Sequence, residues 1–93
     1  MKDAQQQMDE IDDQLVALFK QRMSLAKEVA AQKYQHHESI SNRGREADER
    51  VRLVKKLDDK QLASFLVDWL RDTTLITKQY QAHVIKDLQD AEN

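Results

Sequence analysis

The 93-residue chain carries no proline, a single glycine and 34% charged residues, a make-up that suits long helices and excludes collagen or a sheet-rich fold. A formal net charge of −2, with basic residues interleaved among acids, gives no basic surface for nucleic acid. The absence of cysteine excludes a disulfide framework and thiol chemistry and fits a reducing compartment. One domain spanning residues 1–93 is expected from this length. The opening stretch, Met1-Lys2-Asp3-Ala4-Gln5-Gln6-Gln7, lacks the apolar core of a signal peptide. The longest apolar run, Leu62 to Val67 with Ser64 inside it, is far too short to span a bilayer. The sequence thus reads as a cytoplasmic protein without a membrane partner.

A first helix is predicted from about Asp3 to Tyr34, ending before His36-His37-Glu38-Ser39, with a length of roughly 45 Å. Met8, Ile11, Leu15, Leu18, Leu25 and Val29 recur at spacings of three and four and mark its apolar face. Arg22 and Lys33 fall on the same stripe, where a purely structural helix would carry leucine or valine. A charge drawn inward is costly unless something opposes it. An anion from outside the chain is the simplest partner.

A second, short helix begins after Ser41-Asn42, with Asn42 as its N-cap, and turns Ala47, Val51, Val54 and Leu57 inward. The third opens at Asp58, with Gln61 three residues on as a capping box, and runs toward Asp87. Its predicted face holds Leu62, Leu66, Trp69, Thr73, Ile76, Tyr80, Val84 and Leu88. Two long helices and one short one cannot close a core around each other, because the ends of the long pair lack a third neighbour. The expected architecture is therefore an all-α subunit of long, short and long helices, intertwined with a second copy in a homodimeric helical bundle.

The polar groups on inward faces and at helix ends converge. Arg22 and Lys33 come from the first helix, Asn42, Arg45 and Glu46 from the start of the second, and Thr77 and Gln81, four residues apart, from the third. Three cations, one carboxylate and neutral donors in a bundle interior suit a small polyanion that also bears a hydroxyl or amine. No nucleophile accompanies them. Taken singly, each has a plainer explanation: Arg22 can snorkel or pair with Asp12 or Glu10 of another copy, and Lys33 favours a helix C-terminus. Arg45-Glu46 can be a solvated pair, and Thr77 with Gln81 a polar break that sets register. His36, His37 and His83 lack the spacing of a metal site.

Read together, Ile11-Asp12-Asp13-Gln14-Leu15, Leu18, Arg22, Leu25-Ala26, Val29-Ala30, Lys33, Ile40-Ser41-Asn42-Arg43-Gly44-Arg45-Glu46 and Thr77-x-x-x-Gln81 resemble the all-α type of chorismate mutase over roughly positions 5 to 85. The resemblance implies a dimer with two active sites that rearranges chorismate to prephenate, a step of aromatic amino-acid biosynthesis, with neither cofactor nor covalent intermediate. Chorismate is a dicarboxylate with a ring hydroxyl. Its rearrangement breaks a C–O bond and forms a C–C bond through a chair-like transition state, with negative charge building on the ether oxygen, so confinement and charge complementarity are enough. By resemblance, Arg22 and Arg45 hold carboxylates, Lys33 and Gln81 donate to the ether oxygen, and Glu46 accepts from the hydroxyl. The Asn42 backbone and Thr77 assist.

Two positions depart from that pattern. Seven residues before Asp12, where the family has an arginine that crosses the dimer to a substrate carboxylate, this chain has Gln5; where an aspartate is common it has Asn42. A glutamine donates hydrogen bonds but no charge. Lys2 is a candidate replacement cation. The same changes would also suit a related enzyme acting on an analogue, an isochorismate-pyruvate lyase or aminodeoxychorismate mutase, or a helical dimerisation or regulatory module with little turnover.

Overall fold

The computed structural model describes residues 1–92, in which three helices follow one another, α1 Ala4–Gln35, α2 Arg43–Leu57 and α3 Ala63–Glu92. No strand occurs among the described residues. Asp3 starts α1 with a capping box: its carboxylate accepts from the Gln6 backbone N–H at 2.8 Å, and the Gln6 side-chain oxygen accepts from the Asp3 N–H at 2.9 Å. The helix ends where His37 takes a left-handed conformation (φ 58°) and the Glu38 N–H folds back onto the Lys33 carbonyl at 2.8 Å. Asn42 caps α2 through its side-chain oxygen, 3.0 Å from the Arg45 backbone N–H.

The start of the third helix differs from the sequence reading. Asp58 does not open α3; it closes α2 in the left-handed region (φ 51°, ψ 46°), with its N–H on the Val54 carbonyl at 3.2 Å. Aspartate is among the few L-residues that tolerate this conformation, so the first residue of the Asp58-Asp59 pair serves as a stop. Asp59 organises the following turn by accepting from the backbone N–H groups of Gln61 and Leu62 at 2.9 and 3.2 Å. The α3 ladder then begins from the Leu62 carbonyl.

Packing is thin, and none of residues 1–22 is buried in it. α3 lies against both α1 and α2, while α1 and α2 do not approach each other. The seam between α1 and α3 is made by Ala26 and Ala30, one turn apart, against Gln81 and Val84, and these four are the buried residues. Alanine has no bulk beyond Cβ, so two such residues at i and i+4 let the helix axes come close. The larger Leu25 and Val29 flank the seam and stay wet. Residues 1–22 are exposed throughout. Of the predicted inward face of α3, Leu66, Thr73, Tyr80, Val84 and Leu88 are buried or half-buried, joined by Leu70, Thr74, Thr77 and Gln81, whereas Leu62, Trp69 and Ile76 are exposed, Trp69 at 57%. Val51 of α2 likewise faces out. The chain measures 57 × 29 × 15 Å, with a radius of gyration of 16.5 Å against about 12 Å for a compact domain of this length. Tyr34 ties the far end together by donating to the Glu92 carboxylate at 2.5 Å.

Candidate active site

The thin packing leaves a cleft of about 430 Å³ where the three helices meet, within the size of pockets that enclose small organic ligands. Arg22 and Lys33 reach it from α1, Asn42, Arg45 and Glu46 from the start of α2, and Thr77 and Gln81 from α3. Each of the three groups sits there for a local reason. About three turns carry the stripe of α1 from Arg22 past the seam to Lys33, and the Asn42 cap directs the first turn of α2 at the cleft. The i, i+4 spacing of Thr77 and Gln81 stacks them on one face. Gln5 is not among these residues: it lies near the other end of α1 and donates to the Asp9 carboxylate at 3.0 Å. Lys2 is no freer, being ion-paired with Glu10.

The interior hydrogen bonds order the cleft before any ligand arrives. Arg22 Nη1 donates to Thr77 Oγ1 at 2.6 Å, and the same hydroxyl donates to the Thr73 carbonyl at 2.8 Å. Thr77 therefore acts as a relay that pins a guanidinium to the backbone of α3. Arg22 itself is exposed in the isolated chain, so the expectation of a fully inward charge is met only in direction. Gln81, 6% exposed, donates from Nε2 to the Ala26 carbonyl at 3.1 Å. Because a carbonyl only accepts, this bond fixes the amide orientation, and the second N–H of Nε2 is left to donate elsewhere.

Two further residues are brought in that sequence reasoning passed over. Lys78 lies in the wall with its ammonium 3.0 Å from Glu46 Oε1. A signal was present: Lys78 is three residues before Gln81 and four after Thr74, the spacing of a shared helix face. Glu49 also lines the cleft, but it is exposed and hydrogen-bonded to Arg52 three residues on. That bond chiefly, helped by the charges of Arg45 and Arg22, holds the Glu49 carboxyl below its ordinary range. Arg22, Lys33 and Arg45 have no carboxylate within ion-pairing distance among the described residues. The cleft thus presents bare cations together with an ordered neutral donor. Among the described residues no group of histidines and acids is placed to hold a metal ion, and no helix is long and apolar enough to cross a membrane.

A helical cleft of this kind, with three cations free of ion pairs among the described residues, is chemically suited to ligands of one class, small organic polyanions. The comparison with known families is consistent with that class: the family model for chorismate mutase type II matches residues 4–82. The chain belongs to the chorismate mutase type II family, whose namesake activity is an isomerisation. No curated protein and no solved structure matches the chain.

Proposed function

We propose that the protein is a chorismate mutase that converts chorismate to prephenate as a cytoplasmic homodimer. The observation that carries this reading is the convergence of Arg22, Lys33, Asn42, Arg45, Glu46, Thr77 and Gln81, from three separate helices, on one cleft. In this proposal Arg22 and Arg45 hold the substrate carboxylates, and Thr77 keeps Arg22 aimed. Lys33 and the free N–H of Gln81 meet the charge that develops on the ether oxygen, where donors already in place cost no reorganisation. Glu46 and the Asn42 backbone receive the ring hydroxyl. The rearrangement needs no proton removed and no covalent intermediate. Incubating the purified protein with chorismate and following loss of its near-ultraviolet absorbance, with the product identified, tests the reading; no prephenate from a folded protein overturns it.

A second reading is favoured by Gln5. With its amide committed to Asp9 and Lys2 committed to Glu10, the N-terminal turn of α1 offers no unpaired cation to a partner's site. A mutase-fold enzyme for a chorismate analogue, an isochorismate-pyruvate lyase or an aminodeoxychorismate mutase, in which the Gln5 and Asn42 changes would be adaptations, fits that end of the helix. A dimerisation or regulatory module fits it too. Product identification with each substrate separates these from the first reading.

A further inference from the structure

The role assignments above leave two cations of the cleft wall without a task, Arg50 and Lys78, and of these Lys78 is the one ion-paired inside it. Its ammonium lies 3.0 Å from Glu46 Oε1 and 3.3 Å from Oε2, with Ser41 Oγ at 3.5 Å. Both partners are largely withdrawn from solvent, the Lys78 side chain 29% and the Glu46 side chain 19% exposed. The pair joins the middle of α3 to the first turn of α2 and divides the cleft electrically. Arg22, Lys33 and Arg45 make no ion pair among the described residues, with Glu49 near enough to feel Arg22 and Arg45 but bonded to Arg52 instead, whereas Glu46 is paired directly with Lys78, which balances its charge.

That balance selects what can bind beside Glu46. A carboxylate has about four lone-pair sites, and Lys78 occupies one on each oxygen at most, so a neutral O–H donor still finds an acceptor. An ammonium finds no net negative charge to meet, and a second ammonium within a few ångströms repels it in a setting where solvent screens poorly. We propose that Lys78 is a specificity-determining residue: by neutralising Glu46 it lets the cleft accept a substrate with a neutral hydroxyl at that ring position and reject one with an ammonium there. The inference rests on the mutase reading, in which Glu46 receives the ring substituent.

The test compares two substrates on the same preparation, so that any loss of folded protein cancels from the ratio. Chorismate and its 4-amino-4-deoxy analogue are assayed for kcat/KM, the analogue also as a competitive inhibitor, on the unaltered protein, Lys78→Met and Lys78→Arg. Methionine keeps the apolar stem and removes the charge; arginine restores the charge. The unaltered protein should favour the hydroxyl compound at least tenfold. Lys78→Met should narrow that ratio about tenfold or more, mainly through a lower KM or inhibition constant for the amino compound, and Lys78→Arg should hold it. If Lys78→Met does not fold, Lys78→Gln, which keeps a polar contact to Glu46 without charge, carries the same comparison. A ratio left unchanged by loss of the charge, in a protein that still turns over chorismate, overturns the role of Lys78 alone, and so does an arginine variant that loses discrimination as methionine does. An unaltered protein that neither converts nor binds either compound overturns the mutase reading and this inference with it.

Discussion

Arg22 meets Thr77 through a hydrogen bond to a neutral hydroxyl and is exposed in the subunit, so Arg22→Ala takes charge from the cleft without orphaning a buried partner. Thermal stability should stay within about 1 kcal/mol of the parent, whereas a lost carboxylate contact worth ~1.5–3 kcal/mol should lower kcat/KM for chorismate roughly ten- to 150-fold. Melting curves and kinetics on one preparation check both halves; a large stability loss with activity proportional to folded protein would favour a structural role. Gln81 makes the complementary case. Its amide donates at every pH, so activity should persist above neutrality. Gln81→Glu replaces the donor by a carboxyl that is more than 99% ionised at pH 7 if its pKa stays near the ordinary ~4.3, and burial moves that value up rather than down. Its kcat should therefore fall about a hundredfold at pH 7 and recover as pH drops toward 5, read from a pH–rate profile on protein that stays folded. At this scale the inward cations could be read from sequence, because a charge on an apolar stripe breaks a strict period. Lys78 could not be singled out in that way, since it stands beside, not on, the predicted stripe of α3, and its meaning comes from Glu46, 32 positions away.

Between elements, the legibility of each boundary followed from how many residues competed for one job. Asn42 stands last before a charged amphipathic run, one residue past Ser41, its one near rival, and its position as N-cap of α2 agreed with the structure. Asp58 and Asp59 are both good N-caps and both tolerate turns, and the choice between them depends on where α2 can stop, which the left-handed Asp58 decides. The face of α3 was legible in part for a related reason: Leu66, Thr73, Tyr80, Val84 and Leu88 turn inward as expected, but large apolar residues lie on two sides of the helix, and periodicity alone cannot tell that Trp69 and Ile76 stay exposed. The link between Tyr34 and Glu92 has a pH signature. Donation to Glu92 chiefly, with burial and the glutamate charge, raises the Tyr34 phenol above its ordinary value. The folded state thus favours the neutral phenol, so its stabilising contribution is complete below the unfolded tyrosine value near ~10 and is lost as pH rises through the higher folded value. Melting temperature measured across that alkaline window should fall more steeply for the parent than for Tyr34→Phe, and the two curves should converge at its upper end. Parallel curves would show that the link contributes nothing to stability.

The isolated subunit exposes 7956 Å², where a compact monomer of its mass would expose about 5,600 Å². The excess, about 2,400 Å² per chain, is of the order that obligate dimers bury. Its apolar part is arranged rather than scattered: Met8, Ile11, Leu15 and Leu18 form one stripe on the first half of α1, and Phe65, Trp69 and Ile76, with Leu62 just ahead of the helix, another on α3. A second copy covering these stripes predicts a dimer at micromolar concentration, and light scattering that finds a folded monomer near the 10.9 kDa chain mass would refute it. The dimer in turn gives Gln5 its test. If the N-terminal turn of α1 reaches a partner's cleft, Gln5→Arg adds a charge-assisted contact to a substrate carboxylate in place of a neutral one, worth an extra ~1–2 kcal/mol, or roughly five- to thirtyfold in kcat/KM. The gain should fall mainly on KM, because a carboxylate distant from the breaking bond binds ground and transition states alike. Asp9, which now accepts from Gln5, competes for the new guanidinium, so Gln5→Arg combined with Asp9→Asn should gain more than Gln5→Arg alone. Adding Arg22→Ala should remove most of the benefit, since one carboxylate clamp cannot orient the substrate without the other. An active dimer whose chorismate kinetics do not change with Gln5→Arg, with or without Asp9→Asn, would mean that this end of α1 does not reach the substrate.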